Sequence, residues 1–426
     1  MPDTTTYAGW IGLDWSSKEH VFCIYNASTG QESIRIIADQ ADDLLAFFAE
    51  LRQLFPNRPL LLGLEATRAS ILPILLQQDF LRIILINPKT AANFRGMFRL
   101  SGVKSDALDA TYICRLIRTH PEEFRLCQAH DPQTRQLAAL TEKRRGLVEW
   151  RVQIANRLRA SVASAFPQIL ALLHCQLTVP IAAHFLNRWP TLQKAQAAGA
   201  NKLRAFFYKN NVRTSQNLET RLTAFMQTKP LLNAPQDNFP FELEIQLLAK
   251  QLLQLHDAVQ KFDQEIDRCY QTHPIAKILA AVPGAGPRLK PRLAACLGTH
   301  KERFATALDI STYTGIAPVH KSSGTKKTVV ARHIRPLFLH QTWVEFANCS
   351  VRRPGWARAF YETKREAGFG HYEAIRAVAF KWTRVLFACW KADEPYEEAR
   401  YIKILRAKNP GLIARLNPTP PPVNNA

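Results

Sequence analysis

Short apolar runs alternate with helical patterns along the first 120 or so residues of the chain. Their β-branched and aromatic residues, and the continuous apolar stretches among them, are typical of strands. Five runs are predicted to be strands: residues 10–14, 21–25, 33–37, 60–65 and 81–86. Helical spacing predicts helices over 41–55, from near Ala69, and over 105–117, while Asn87 and Pro88 are interpreted as a stop signal. We therefore expect a mixed α/β domain over residues 8–125.

The strand pattern ends near residue 130, and helical patterns follow. Eight apolar residues recur with heptad spacing: Phe241, Ile245, Leu248, Leu252, Leu255, Val259, Phe262 and Ile266. Leu140, Leu147 and Ile154 repeat every seven residues in an earlier segment, which is expected to be an antiparallel partner or a dimer strand. The pattern predicts a coiled-coil linker over 130–272, with a plain helical bundle as the alternative, and a helical subdomain inserted at about 166–240.

A second compact unit is expected over residues 273–405, which are rich in helix formers and aromatic residues. Residues 406–426 are expected to be a disordered tail, because the proline-rich end of the chain cannot form a packed element. The fold class is therefore α/β plus all-α, with a mostly helical C-terminal domain.

Charge is the unusual feature of the composition. The chain has 56 Lys and Arg against 35 Asp and Glu, a net charge of +21 that favours nucleic acid as partner. No apolar run approaches the length of a membrane helix, and the N-terminal residues lack the pattern of a signal peptide. These features predict a cytoplasmic protein without a membrane partner.

Four carboxylates carry the first candidate chemistry. Asp14 and Glu65 lie within or at the end of predicted buried strands, where an acid is normally excluded unless it binds a cation or another partner. Asp106 and Asp109 are three residues apart on a predicted helix and so share a face. Taken singly, each acid has an ordinary interpretation, as a salt-bridged strand residue or a helix first-turn acid. Together they predict a Mg²⁺ or Mn²⁺ site in the order of a ribonuclease-H-like nuclease.

Two serines next to Gly324 form the second candidate. Ser322 and Ser323 are flanked by cations, so that a hydroxyl could be presented to a phosphate, although a Ser-Ser-Gly segment is more often a simple turn. His320 and Lys321 are candidate base or phosphate contacts, but no acid is placed nearby for a hydrolase triad.

Two further patterns have a structural and a functional interpretation. Gly284 and Gly286 form a Gly-x-Gly turn between helical stretches, which either holds a phosphate through backbone N–H groups or is only a tight turn. Aromatic and basic residues farther along, among them Trp343 and Trp356, either stack on nucleic acid or belong to the core.

The ordered set of motifs resembles the insertion sequence 110 family of transposases, the DEDD recombinases with a separate catalytic serine. The likeness covers most of the chain, to about residue 405. Its N-terminal half rests on Ile11-Gly-Leu-Asp14, Leu64-Glu-Ala-Thr67, Ile86-Asn-Pro88 and Lys104-Ser-Asp-Ala-Leu-Asp-Ala110. Its C-terminal half rests on Val282-Pro-Gly-Ala-Gly286, Thr314-Gly-Ile-Ala-Pro318, Ser323-Gly324, Trp356-Ala-Arg358 and Pro395-Tyr396.

The resemblance implies a RuvC-like N-terminal domain and selects Ser323 over Ser322, because the family's serine directly precedes glycine. It implies that Asp14, Glu65, Asp106 and Asp109 hold Mg²⁺ or Mn²⁺ and that Ser323 attacks a phosphodiester, which leaves a phosphoserine–DNA intermediate. It further implies donor and target double-stranded DNA, a structured guide called a bridge RNA, and assembly as homodimers and a homotetramer.

Two alternatives remain at this point. The same four acids would serve a hydrolytic nuclease of the Holliday-junction-resolvase type, in which water is the nucleophile and the C-terminal half only binds. A non-catalytic nucleic-acid-binding protein, in which the acids are structural, is the third interpretation.

Overall fold

The computed structural model describes residues 7–65, 71–98, 105–128, 130–174, 176–212, 215–229, 235–324, 326–332 and 335–416. These residues belong to two compact units, 1–129 and 130–426. No helix in the described ranges is both long enough and apolar enough to cross a membrane.

The first unit is a mixed sheet flanked by helices, as the apolar pattern predicts. Its strands are β1 Gly9–Trp15, β2 Glu19–Asn26, β3 Glu32–Ala38, β4 Leu60–Glu65 and β5 Leu81–Ile86. Its helices are α1 Ala41–Leu54, α2 Ile71–Leu75, α3 Pro88–Phe98 and α4 Asp106–Thr119.

The sheet has the strand order β3-β2-β1-β4-β5. Strands β1, β2 and β3 pair antiparallel, whereas β4 and β5 run parallel to β1. One face packs its apolar residues, such as Phe22 and Leu62, against α1 and α2. The other face packs residues such as Trp10 and Leu61 against α3 and α4. Both faces of β1 and β4 are covered, which explains their continuous apolar sequences.

The segment after β5 differs from the prediction. Pro88 begins helix α3 and does not mark a stop, and the Asn87 side chain accepts a hydrogen bond of 2.9 Å from the backbone N–H of Lys89. Proline is favoured at the first helical position, because the N–H that it lacks has no partner within the helix. The helix carries Arg95, which forms an ion pair with Asp109 of α4.

The second unit begins with two long helices that enclose five shorter ones. The helices are α5 Pro132–Ala165, α6 Gln168–Leu172, α7 Pro180–Arg188, α8 Leu192–Ala198, α9 Ala200–Lys209, α10 Ser215–Gln227 and α11 Pro235–Gln271. Gln133 at the start of α5 donates a 2.7 Å hydrogen bond to Thr272, just beyond α11, and Ser161 near the end of α5 donates one of 2.7 Å to Glu244. The long helices are therefore antiparallel within one chain.

The buried positions of α5 differ from the predicted seven-residue repeat. Leu137, Leu158 and Val162 are buried, whereas Leu140 and Ile154 are only partly buried. The five short helices form a separate apolar core with the adjoining ends of α5 and α11. This core is separate from the one formed by the C-terminal helices.

The remaining residues are mostly helical. The helices are α12 Ala276–Leu279, α13 Leu289–Leu297, α14 Ala307–Tyr313, α15 Leu337–Ser350, α16 Trp356–Glu366, α17 His371–Ala392, α18 Glu398–Lys408 and α19 Pro410–Ala414. Strands β6 Val319–Ser323 and β7 Lys326–Val330 form an antiparallel hairpin that the sequence patterns do not predict.

Two motifs with both a structural and a functional interpretation, the tryptophans and the Gly-x-Gly turn, belong to the packed core of this region. Trp343 and Trp356 are fully buried, so they are core residues and do not stack on nucleic acid. Gly284 has a φ of +78°, and a Cβ there would lie 2.7 Å from the backbone of Ser350. Close packing of this turn against the end of α15 explains the glycine without a bound phosphate.

The expected tail is shorter than predicted. Residues 406–416 continue α18 and form α19, and Leu412 is buried in the same core as Trp356. Asn409 stabilises the start of α19 through a 3.2 Å hydrogen bond from the Leu412 backbone N–H. Ile413 and Leu416 pack against the same core, so residues 406–416 belong to the packed region, and residues 417–426 lie outside the described ranges.

Candidate active site

Two of the predicted acids lie at the carboxyl ends of adjacent parallel strands. The register of β1 and β4 pairs Leu13 with Leu64. The next residue on each strand, Asp14 and Glu65, therefore lies beside the other across the sheet. Neighbouring strands are about 4.8 Å apart, and residues two positions apart share a face. Gly12 and Gly63 face α4, so Asp14 and Glu65 belong to the α4 face as well. Both are half-buried.

Glycine allows α4 to approach this face of the sheet closely. A Cβ on Gly12 would lie 1.9 Å from the carbonyl oxygen of Ala110 and 2.4 Å from the backbone nitrogen of Cys114. A Cβ on Gly63 would lie 2.8 Å from the Ile117 side chain. The first turn of α4 is thereby held near the carboxyl ends of the two strands.

That first turn carries the other two predicted acids, and the structure places them differently. Asp109 is only 11% exposed, and together with Glu65 and Tyr112 it lines a small cavity. Asp106 is exposed to solvent. The spacing of three residues puts both on one side of the helix, but only Asp109 is far enough along α4 to face the strands.

A residue that sequence reasoning missed lies among these acids. Arg95 of α3 lines the same small cavity, and its guanidinium donates a hydrogen bond to Asp109 within an ion pair. This hydrogen bond is the main cause that raises the pKa of Arg95, and the negative charges of Asp109, Glu65 and Asp14 add to it. The guanidinium thus lies within electrostatic reach of three of the four predicted acids.

The chemistry of these groups suits a hard divalent cation, since Mg²⁺ and Mn²⁺ prefer carboxylate oxygens. Of the four predicted ligands, Asp14, Glu65 and Asp109 lie within electrostatic reach of Arg95, and Asp106 is exposed. Among the described residues, however, no group of three or more His, Cys, Asp or Glu side chains is arranged as a metal site.

The predicted nucleophile lies in the second unit, at the end of strand β6. The backbone of Ser323 pairs with Lys326 across the hairpin, and Gly324 follows with a φ of +56°, in the left-handed region that favours glycine. The Ser323 side chain lies outside the described part of the structure. Ser322, His320 and Lys321 are exposed on the same strand.

Two family models match this chain, one in its N-terminal part and one in its C-terminal part. A model of the DEDD transposases of IS110 matches residues 11–167, which include all four acids. A second model, described as the transposase IS116/IS110/IS902 family, matches residues 276–362, which include Ser323.

Curated relatives match over nearly their whole length. The mini-circle transposase named for IS117 of Streptomyces coelicolor is 26% identical over 398 residues, which are 92% of this chain and 96% of the relative. A 42 kDa protein of insertion element IS900 from Mycobacterium paratuberculosis is 26% identical over 403 residues, 92% of this chain and 97% of the relative. A 44.8 kDa protein of insertion element IS116 from Streptomyces clavuligerus is 25% identical, over 89% of this chain and 94% of the relative.

The chain belongs to the IS110 family of transposases. Members of this family are enzymes that cleave and rejoin DNA, which accounts for the large positive charge of this chain. The match to the DEDD model supports a divalent metal as cofactor.

Arg95 is the residue at this site that the sequence reasoning missed. The available signal was the pair Asn87 and Pro88, which matches a helix N-terminus with proline at its first position. Recognising that helix would have placed Arg95 two turns along it. Its contact with Asp109 would still have required the packing of α3 on α4.

Proposed function

We propose that the N-terminal unit of this transposase is a RuvC-like, ribonuclease-H-like catalytic domain. The observation that carries this proposal is the position of Asp14 and Glu65 at the carboxyl ends of adjacent parallel strands, with Asp109 on the helix packed across them. The strand order β3-β2-β1-β4-β5, with an antiparallel edge of three strands, supports it.

The proposed ligands of Mg²⁺ or Mn²⁺ are Asp14, Glu65, Asp106 and Asp109. A bound divalent metal supplies Lewis-acid activation of a phosphodiester and stabilises the charge that develops on its oxygens. Asp14 and Glu65 are fixed by strands buried on both faces, so their carboxylates would be held with little freedom. Asp106, which is exposed, would complete the set from the start of α4.

Ser323 is the proposed nucleophile. Its Oγ would form a bond to the phosphorus of the scissile phosphodiester as the bond from phosphorus to the 3′ oxygen breaks, and the serine proton would pass to a base or water. One DNA end is then joined to the protein as a phosphoserine, and the other departs as a 3′-hydroxyl. Attack by a new 3′-hydroxyl reverses these bond changes, so joining needs no ATP.

The partners that we propose are donor and target double-stranded DNA and a structured bridge RNA, with the protein acting as a homodimer or homotetramer. The net charge of +21 suits a protein that contacts several polyanionic strands. The long antiparallel pair of α5 and α11 is a surface suited to assembly, and we propose that it contributes a coiled coil. In such an assembly, the acids of one subunit would meet Ser323 of another.

The decisive experiment traps the covalent intermediate. The protein is incubated with its RNA and a nicked or otherwise stalled DNA substrate, and the modified residue is located by mass spectrometry. We expect DNA on Ser323, and we expect Ser323→Ala to abolish both adduct and strand exchange. Ser322→Ala is the matched control, since it removes a neighbouring exposed hydroxyl on the same strand, and it is expected to retain most of the activity.

Two outcomes would contradict this proposal. An adduct on Ser322 would move the nucleophile by one residue. Efficient cleavage by Ser323→Ala, with no adduct in the unmodified protein, would show that water is the nucleophile and that the enzyme acts as a hydrolytic nuclease of the Holliday-junction-resolvase type.

A further inference from the structure

A large groove lies between helices α16, α17 and α18, apart from the acids at the strand ends and from the β6–β7 hairpin. Its volume is about 830 Å³, within the range of roughly 300–1,000 Å³ found for ligand sites. Helix α17 lines it with residues three or four positions apart, and α18 does the same from the opposite side. Its lining residues include Lys364, Lys381, Arg384, Ala388, Tyr401 and Ile404.

Three cations crowd one wall of the groove. Lys381 is half-buried, and burial lowers its pKa, with the positive charges of Arg384 and Lys364 lowering it further. Within the described residues, none of these three side chains has a carboxylate at ion-pair distance. Glu394, which also lines the groove, is already paired with Arg400. The wall therefore carries positive charges that repel one another, and an anion would relieve this repulsion.

The opposite wall presents aromatic and apolar residues, and its rim also carries the polar residues Glu397, Lys408 and Asn409. Tyr401 is half-buried against Trp356, and Ile404 is 45% exposed although it is a large apolar residue. The Lys381 ammonium lies 4.4 Å from the centre of the Phe360 ring, so its charge lies beside an aromatic surface. The groove thus joins a cationic wall to one with exposed aromatic and apolar side chains, which is the combination used to bind nucleotides in single strands.

We propose that this groove binds an unpaired nucleotide of single-stranded DNA. Its base would lie against Tyr401 and Ile404. Its phosphates would lie beside Lys364, Lys381 and Arg384. A purely apolar ligand would leave three cations without counter-charge. DNA is the polyanion on which the IS110 family acts, and strand cleavage and rejoining expose unpaired nucleotides.

This inference goes beyond the proposed function and does not depend on it. The groove residues belong neither to the acidic site, formed by Asp14, Glu65, Asp106 and Asp109, nor to the serine hairpin, formed by β6 and β7. Binding is measured without cleavage. If the adduct experiment fails, the proposal that the groove binds DNA still stands. If the binding experiment fails, the proposal that Ser323 is the nucleophile still stands.

The test uses the full-length protein in metal-free buffer and a fluorescent deoxythymidine strand of about 12 nucleotides, within the usual span of single-strand sites. The variant Lys381→Met/Arg384→Gln removes two charges of the groove. The control Lys403→Met/Arg406→Gln removes two exposed charges of α18 that do not line it. We expect the groove variant to bind about tenfold more weakly, with a salt slope reduced by about 0.7 for each phosphate that is no longer neutralised. The control is expected to change affinity less than about twofold.

A second pair of variants tests the base-binding wall. Ala388→Trp places a large side chain in the groove, and Ala399→Trp places one on an exposed position of α18 outside it. The unmodified protein should prefer an intact strand to one with abasic positions, because the latter keeps its phosphates but lacks bases. Ala388→Trp should lose this preference, and Ala399→Trp should retain it.

Three results would overturn the assignment. Equal DNA affinity of the groove variant and its control would show that the groove does not bind DNA. A ribonucleotide strand that binds more tightly than DNA, and loses affinity in the same variants, would assign the groove to RNA. A change in oligomeric state of Ala388→Trp, with unchanged DNA binding, would assign it to a partner chain.

Discussion

The acidic site and the serine hairpin are built in opposite ways. Asp14 and Glu65 end strands that lie in the middle of a five-stranded sheet and are covered on both faces. Ser323 ends one strand of a two-stranded hairpin, and its neighbours His320, Lys321 and Ser322 are exposed. A two-stranded hairpin has few buried contacts to stabilise it, whereas a covered central strand has many.

This difference separates two ways of positioning the proposed catalytic groups. The acids are pre-organised by the core of their own unit, so substitutions in that core should be costly. The serine hairpin has little core of its own, so we expect its working position to depend on bound DNA and on partner subunits. Stability and activity should therefore respond differently to equivalent changes in the two regions.

The largest effect is expected from the acids. Asp109→Asn should lower the cleavage rate about a thousandfold, since loss of a metal ligand removes several kcal/mol of transition-state stabilisation. Single-turnover cleavage of labelled DNA measures it. Asp42→Asn, an exposed first-turn acid of α1, is the control and should be neutral. Retention of full activity by Asp109→Asn would remove this residue from the site.

A methyl group at Gly12 tests how firmly the acidic site is built. Gly12→Ala should destabilise the fold by about 3 kcal/mol, because its Cβ would overlap the Ala110 carbonyl oxygen of α4. Gly96→Ala is the matched control, since nothing lies within 4 Å of its Cβ and alanine favours the helix by about 0.5–1 kcal/mol. Urea denaturation followed by circular dichroism compares the two. Equal stabilities would mean that α4 does not pack closely on β1.

Arg95 provides a smaller effect on metal binding. Arg95→Gln should tighten Mn²⁺ binding by about tenfold, because the cation that now pairs with Asp109 is removed. Titration of Mn²⁺ followed by electron paramagnetic resonance measures this without cleavage. Arg95→Lys keeps the charge and should resemble the unmodified protein. Weaker Mn²⁺ binding by Arg95→Gln would mean that the arginine supports the ligands and does not compete with the metal.

The smallest effect on stability is expected in the hairpin. Gly324→Ala adds a methyl group to open space, and its left-handed φ of +56° costs about 1 kcal/mol for alanine. We expect this cost to appear as faster hydrogen exchange of the β6 and β7 amides, with little change in global unfolding. A global loss as large as that of Gly12→Ala would show that the hairpin is part of a cooperative core.

Local pattern was sufficient for most elements of the first unit. The predicted strands at 60–65 and 81–86 match the observed β4 and β5, and the predicted helices at 41–55 and 105–117 match α1 and α4 within two residues. Central strands have continuous apolar sequences because both faces are buried, and this signal is present in the residues themselves. Helix α3 was missed because its first proline was interpreted as a stop.

Local pattern failed where isolated segments become ordered by packing. The hairpin of β6 and β7 consists of short polar strands without a period-2 apolar signal. Residues 406–416 are helical because Leu405 and Leu412 enter a core built by distant residues. Trp343 and Trp356 have helical neighbours that suit either a core or a binding surface, and only their burial decides between the two.

The sequence by itself determined the mixed α/β first unit, the helical remainder, the family, and which acids and serine are candidates. These features depend on residue type and on spacing along the chain. Only the tertiary structure decided that Asp14 and Glu65 are adjacent across the sheet, that Asp109 faces them while Asp106 is exposed, and that Arg95 forms an ion pair with Asp109. Strand register and helix packing join residues that are distant in sequence, and such contacts leave no periodic signal along the chain.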